Sequence, residues 1–87
     1  MTKEMQRPNP LSRPLSTEEQ HYYNLIINRL IDVRKIKNLS QAMLDDKIGV
    51  SEGMVAKWES KARLPGAFFL MCWCISLDLQ LTLLDRK

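Results

Sequence analysis

Residues 39–59 read LSQAMLDDKIGVSEGMVAKWE, and this stretch decides the fold. Ser40 can cap a helix through the amides of Met43 or Leu44, which predicts a short helix from about Gln41 to Ile48. Gly49 ends it, because a residue free to take positive φ is what a tight corner after a short helix needs. Val50 enters the core, and Ser51 is placed to cap a further helix, 51–60, whose apolar stripe is Met54, Val55 and Trp58. Glu52, Gly53, Ala56 and Lys57 then fall on faces that cannot all be buried. Two short helices clamped across a glycine turn, with part of the second facing outward, are the result.

Working outward, Ser16-Thr17-Glu18-Glu19 has the form of a capping box. Behind it Tyr23, Ile26, Ile27, Leu30, Ile31, Val33 and Ile36 recur at three- and four-residue steps, the pattern of an amphipathic helix ending near Lys37-Asn38. Asn38 suits a left-handed C-cap. On the other side Lys61-Ala62-Arg63-Leu64-Pro65-Gly66 forms a basic loop, with Pro65 at the N-terminal edge of a buried helix, Ala67 to Leu77, containing Phe68, Phe69, Leu70, Trp73 and Ile75. Residues 1–15 hold Pro8, Pro10 and Pro14 among polar and basic residues, the composition of a flexible arm. The foldable domain is therefore 16–77.

The tail 78–87 has two readings. Leu77, Leu79, Leu81 and Leu83 alternate with Asp78, Gln80 and Thr82, the period of a half-buried strand. With no second strand in the chain, such a strand finds its partner in a second copy, giving a two-fold dimer. Alternatively the last helix continues, with Leu77, Leu81 and Leu84 on one side.

Composition narrows the function. The chain of 87 residues, 45% hydrophobic and with a net charge of +3, is sized for one compact domain. It contains no apolar run long enough for a membrane span and no secretion signal at its start, so a cytoplasmic location is expected. Its basic balance is compatible with a polyanionic partner without requiring one. Cys72 and Cys74, with His21 distant and alone, are too few ligands for zinc and are expected to be free thiols. Three glycines and one histidine supply neither a phosphate loop nor a nucleophile with its base. No enzyme activity and no cofactor are expected.

Ser40-Gln41, Leu44, Ile48-Gly49-Val50-Ser51, Val55 and Trp58-Glu59 resemble the helix-turn-helix (motif 40–59) of the Cro/C1-type (XRE) regulator family. The resemblance extends over roughly residues 26–77, with Arg34 matching the family's helix-one arginine and Lys61 to Pro65 its basic loop. It implies an all-α domain of four to five helices and double-stranded DNA as partner. Ser51, Glu52, Gly53 and Lys57 then correspond to positions near base edges, Gln41 to a phosphate contact that can also steady Glu52, and Arg34 with Glu59 to a structural salt bridge. Lys61 and Arg63 are the sequence-independent backbone contacts of such an arrangement. Asp45 departs from the pattern, which has a small alanine there; a carboxylate at that place must turn outward or find a donor.

The expected function is that of a DNA-binding transcriptional regulator, a repressor acting as a dimer. The alternative keeps the fold as an antitoxin-like or anti-regulator module that binds another protein.

Overall fold

The computed structural model describes residues 13–86. Within them run four helices: α1 (Thr17–Ile36), α2 (Gln41–Ile48), α3 (Met54–Glu59) and α4 (Ala67–Ser76). No strand occurs among these residues, and the fold is all-α. Of the arm expected over residues 1–15, residues 1–12 lie outside the described part.

The first helix begins at its capping box. The Ser16 hydroxyl accepts from the Glu19 amide at 3.1 Å, and the Glu19 carboxylate accepts from the Ser16 amide at 2.9 Å. Two donors that a helix start leaves free are thereby satisfied. Arg13 forks onto both Glu19 oxygens at 2.7 and 2.8 Å. That guanidinium, then the Ser16 amide, hold the Glu19 carboxyl below its ordinary value of 4.5, at about 2.

All four helices close in one manner. Asn38 (φ 57°), Gly49 (φ 88°), Lys61 (φ 67°) and Asp78 (φ 64°) take the left-handed conformation just past the helix ends. In each case the next amide reaches back five residues: Leu39 to the Arg34 carbonyl, Val50 to Asp45, Ala62 to Lys57 and Leu79 to Cys74, at 2.8 to 3.1 Å. This bond satisfies a terminal carbonyl and turns the chain sharply. Leu39, Val50 and Leu79 are thereby delivered against the core.

The fourth of these ends corrects one reading of residues 78–87. The last helix does not continue, because Asp78 has left helical geometry, and residues 79–86 form neither helix nor strand. The tail instead runs back beside α1. Leu79 and Leu81 line a cavity of about 340 Å³ with Ile26, Leu30 and Cys74, and Arg86 pairs with Glu18 near the start of α1. Leu83 and Leu84 stay 94% and 87% exposed.

The core gathers Ile27, Leu30 and Val33 of α1, Leu44 of α2, Val55 and Trp58 of α3, and Trp73 and Cys74 of α4. Trp58 lies between Trp73 and Phe69, its ring centroid 5.5 and 5.8 Å from theirs. Several expected core residues are outside it. Ile26 and Ile36 of α1 are exposed, and so are Phe68, Phe69 and Ile75 of α4. Periodicity marks an apolar stripe, but only the part that a neighbouring helix covers becomes core. In α4, where nine of ten residues from Ala67 to Ser76 are apolar, the pattern contains no contrast to show which side faces inward. Cys72 is partly buried, Cys74 is buried, and both are free thiols.

A polar clamp ties three helices together. Arg34 of α1 donates to both oxygens of Glu59 on α3, at 2.7 and 3.0 Å, and to the Leu39 carbonyl at 2.8 Å. Gln41, at the start of α2, donates its Nε2 to Glu59 Oε1 at 2.8 Å. The paired side chains are only 11% and 6% exposed, so removing one charge strands the other away from water. Arg34→Met should therefore cost about 3–5 kcal/mol in urea unfolding. Adding Glu59→Gln should recover part of that loss, because no carboxylate is then left buried. At the opposite end of α1, an NMR titration should put the Glu19 midpoint near 2, and Arg13→Ala should raise it. Since this carboxyl is depressed on folding, its contribution to the first turn is present above the unfolded value and is lost as pH falls from about 4.5 towards 2.

Candidate nucleic-acid interface

The outward edge of the helix-turn-helix is shaped by where α3 starts. It begins at Met54, not at Ser51, which corrects the expected helix 51–60. Ser51, Glu52 and Gly53 form a turn in which the Met54 amide bonds the Ser51 carbonyl at 3.1 Å. Gly53 has φ 90° and ψ −4°. A Cβ there would meet nothing within 4 Å, so the demand for glycine is conformational and not one of space. Gly53 therefore makes the turn that precedes the helix and does not dilute the helix interior.

Asp45 explains this start. It is only 5% exposed, and its Oδ2 and Oδ1 accept the amides of Gly53 and Val55, both at 2.8 Å. Of its two options it finds donors. A carboxylate on α2 thus does from a distance what a cap residue at Ser51 was expected to do locally. The same bonds occupy amides that an anion at this helix start would otherwise use. Sequence reasoning identified Asp45 only as a departure; the available signal was a carboxylate on the inward side of α2 followed, eight residues later, by a glycine able to turn its amide inward.

The cationic part of the edge is built by one carbonyl. Lys57 O accepts from the Ala62 amide at 3.0 Å, the Arg63 amide at 3.2 Å and the Ser60 hydroxyl at 3.2 Å. The loop carrying Lys61 and Arg63 is therefore folded back onto α3 beside Lys57. All three side chains are on exposed residues, and none forms an ion pair among the described residues. Lys61 Nζ reaches Asn28 Oδ1 at 3.5 Å, a contact with α1 that the sequence did not signal.

The remaining candidates are distributed around this edge. Ser51 and Arg63 share the rim of a depression of about 380 Å³ floored by Val50, Met54 and Trp58. Glu52 lies on a second depression with Asp46 and Met43, so the side of the turn towards α2 is acidic while the side towards α4 is basic. Gln41 does not bond Glu52. Its Nε2 is committed to Glu59, although a primary amide has a second N–H and an oxygen to offer. Arg34 and Glu59 are turned inward and paired.

A model of the helix-turn-helix family matches residues 30–71, from the last third of α1 to the middle of α4. Comparison with curated proteins and with solved structures gives no significant match. No helix among the described residues is long and apolar enough to cross a membrane. The glycine corner, the buried clamp from α1 to α3 and the basic loop all lie inside the matched span, and over residues 30–71 the chain is similar to the Cro/C1-type (XRE) helix-turn-helix family of DNA-binding regulators.

Proposed function

We propose that the protein is a sequence-specific regulator that binds double-stranded DNA as a homodimer and represses transcription by occupying its operator, acting in the cytoplasm on the nucleoid. The observation that carries this reading is the basic edge: Lys57 and, on the loop folded back onto its carbonyl, Lys61 and Arg63, all exposed and without acidic partners among the described residues. Uncompensated cations on a helix-turn-helix attract phosphate, and releasing condensed counterions favours the complex.

In this reading the turn Ser51-Glu52-Gly53 and the first part of α3 enter the major groove. Glu52 accepts from the exocyclic amine of cytosine, and Lys57 donates to guanine or to a phosphate. Ser51 donates from its hydroxyl, and Gly53 lets the backbone come close. Gln41 offers its second N–H to a phosphate while the first stays on Glu59. Lys61 and Arg63 hold the backbone irrespective of sequence. With so few base-reading side chains, two half-sites about 34 Å apart supply the selectivity that a single domain lacks. The exposed leucines 83 and 84 of the tail are the surface for the second copy.

One observation favours an antitoxin-like or anti-regulator reading as the alternative. Phe68, Met71 and Ile75 form an exposed apolar stripe along α4, 65%, 42% and 65% exposed, which is the kind of surface another protein covers. A stable hetero-complex formed on co-expression with one defined partner would favour it.

Selection of bound genomic fragments at about 150 mM salt with excess competitor should recover one palindromic site. Lys57→Ala should then alter the preferred bases. Arg63→Ala should weaken binding to all sequences and lower the salt slope by about 1. Deleting residues 78–87 should convert the dimer to a monomer by mass in solution; an unchanged dimer would reject the tail as its interface.

A further inference from the structure

Asp45 has a consequence beyond holding two helices together. Helix α3 is six residues long, so most of its N-terminal amides have no partner within the helix. Gly53, its N-cap, makes no side-chain cap bond. The side chains that precede it, Ser51 and Glu52, are exposed and sit on a turn closed by a single backbone bond, from the Met54 amide to the Ser51 carbonyl. What fixes this turn against the rest of the domain is the Asp45 carboxylate, bonded to the amides on either side of Met54.

We propose that Asp45 is a positioning residue for DNA reading. It never touches DNA, and through the Gly53 and Val55 amides it sets the orientation of Ser51 and Glu52, so that discrimination between sequences depends on it while attraction to DNA does not. The separation follows from geometry. The cations that supply attraction, Lys61 and Arg63, are carried on a loop anchored to the Lys57 carbonyl, towards the end of α3 that the Arg34–Glu59 pair holds. The groups that distinguish bases sit on the segment that Asp45 holds. This assignment rests on the DNA-binding reading above.

Asparagine at position 45 is the informative substitution. It has nearly the same shape, but its one oxygen can accept only one of the two amides, and its NH₂ opposes the other. Two measurements on the full chain separate the outcomes. Amide exchange, which needs no DNA, should show Gly53 and Val55 in Asp45→Asn exchanging about tenfold faster than in the unsubstituted chain, with Leu44 and Trp73 unchanged. Fluorescence anisotropy should show affinity for the selected site falling about tenfold, with affinity for an unrelated duplex not reduced. Asp45→Ala should lose more of the discrimination, and Asn remains the test if Ala fails to fold. Equal losses on both duplexes would reduce Asp45 to a purely structural residue and overturn the proposal. Faster exchange with an unchanged ratio between duplexes would overturn it as well. An unsubstituted chain that binds both duplexes alike would overturn the DNA reading itself and this assignment with it, whatever the exchange data show.

Discussion

The short third helix cannot hold itself in place, and two buried carboxylates do so from its two ends. Six residues provide too few internal hydrogen bonds for an isolated helix to persist in water. At its C-terminal end Glu59 accepts from Arg34 of α1 and Gln41 of α2. At its N-terminal end Asp45 of α2 accepts from Gly53 and Val55. Val55 and Trp58, both buried, press the same helix onto the core between these clamps. Hydrophobic contact supplies the attraction but tolerates sliding and rotation; the directional bonds at each end remove those freedoms. The side chains of α3 are thereby presented at fixed positions, which the proposed reading of DNA requires.

The two clamps differ in their chemistry. Glu59 meets a guanidinium in a forked pair, so its charge is matched by a charge. Asp45 meets only backbone amides, assisted by the positive end of the α3 dipole. Such a site depends on backbone conformation in a way an ion pair does not. The Gly53 amide is aimed at Asp45 by a residue at φ 90°, a geometry that most side chains disfavour. Asp45 and Gly53 therefore form one unit although eight positions separate them, and a change at either is felt at both.

Much of the fold was legible from local signals. Ser16 with Glu19, Ser40, and Gly49 each declare a helix boundary through chemistry contained within a few residues. Arg34 with Glu59 was accessible only through the family resemblance, since twenty-five positions separate them and nothing local joins them. Three features were not legible for identifiable reasons. The left-handed end at Lys61 uses a residue with no preference for that conformation, and Asp78, which tolerates it, sits in an alternation that reads as a strand. The inward face of α4 was hidden because its sequence is apolar all round. The true start of α3 was hidden because the apparent cap, Ser51, is displaced by a carboxylate that the sequence places in a different helix.

The same displacement redistributes charge around the edge. A helix start of this kind ordinarily presents free amides and a partial positive charge to an incoming phosphate. Here Asp45 consumes that capacity internally, and Asp46 and Glu52 add negative charge on the same side. Positive charge lies on the opposite flank, on Lys57 and the loop that carries Lys61 and Arg63. A polyanion approaching this surface experiences a gradient across the turn and not a uniform basic patch. On the proposed DNA-binding reading, this gradient orients the duplex before any base is contacted, with the backbone drawn to the α3–α4 loop and the acidic side left facing the groove. On that reading the departure at position 45 belongs to one side of the surface, since its carboxylate holds the segment that meets the bases while the backbone is gripped from the opposite flank.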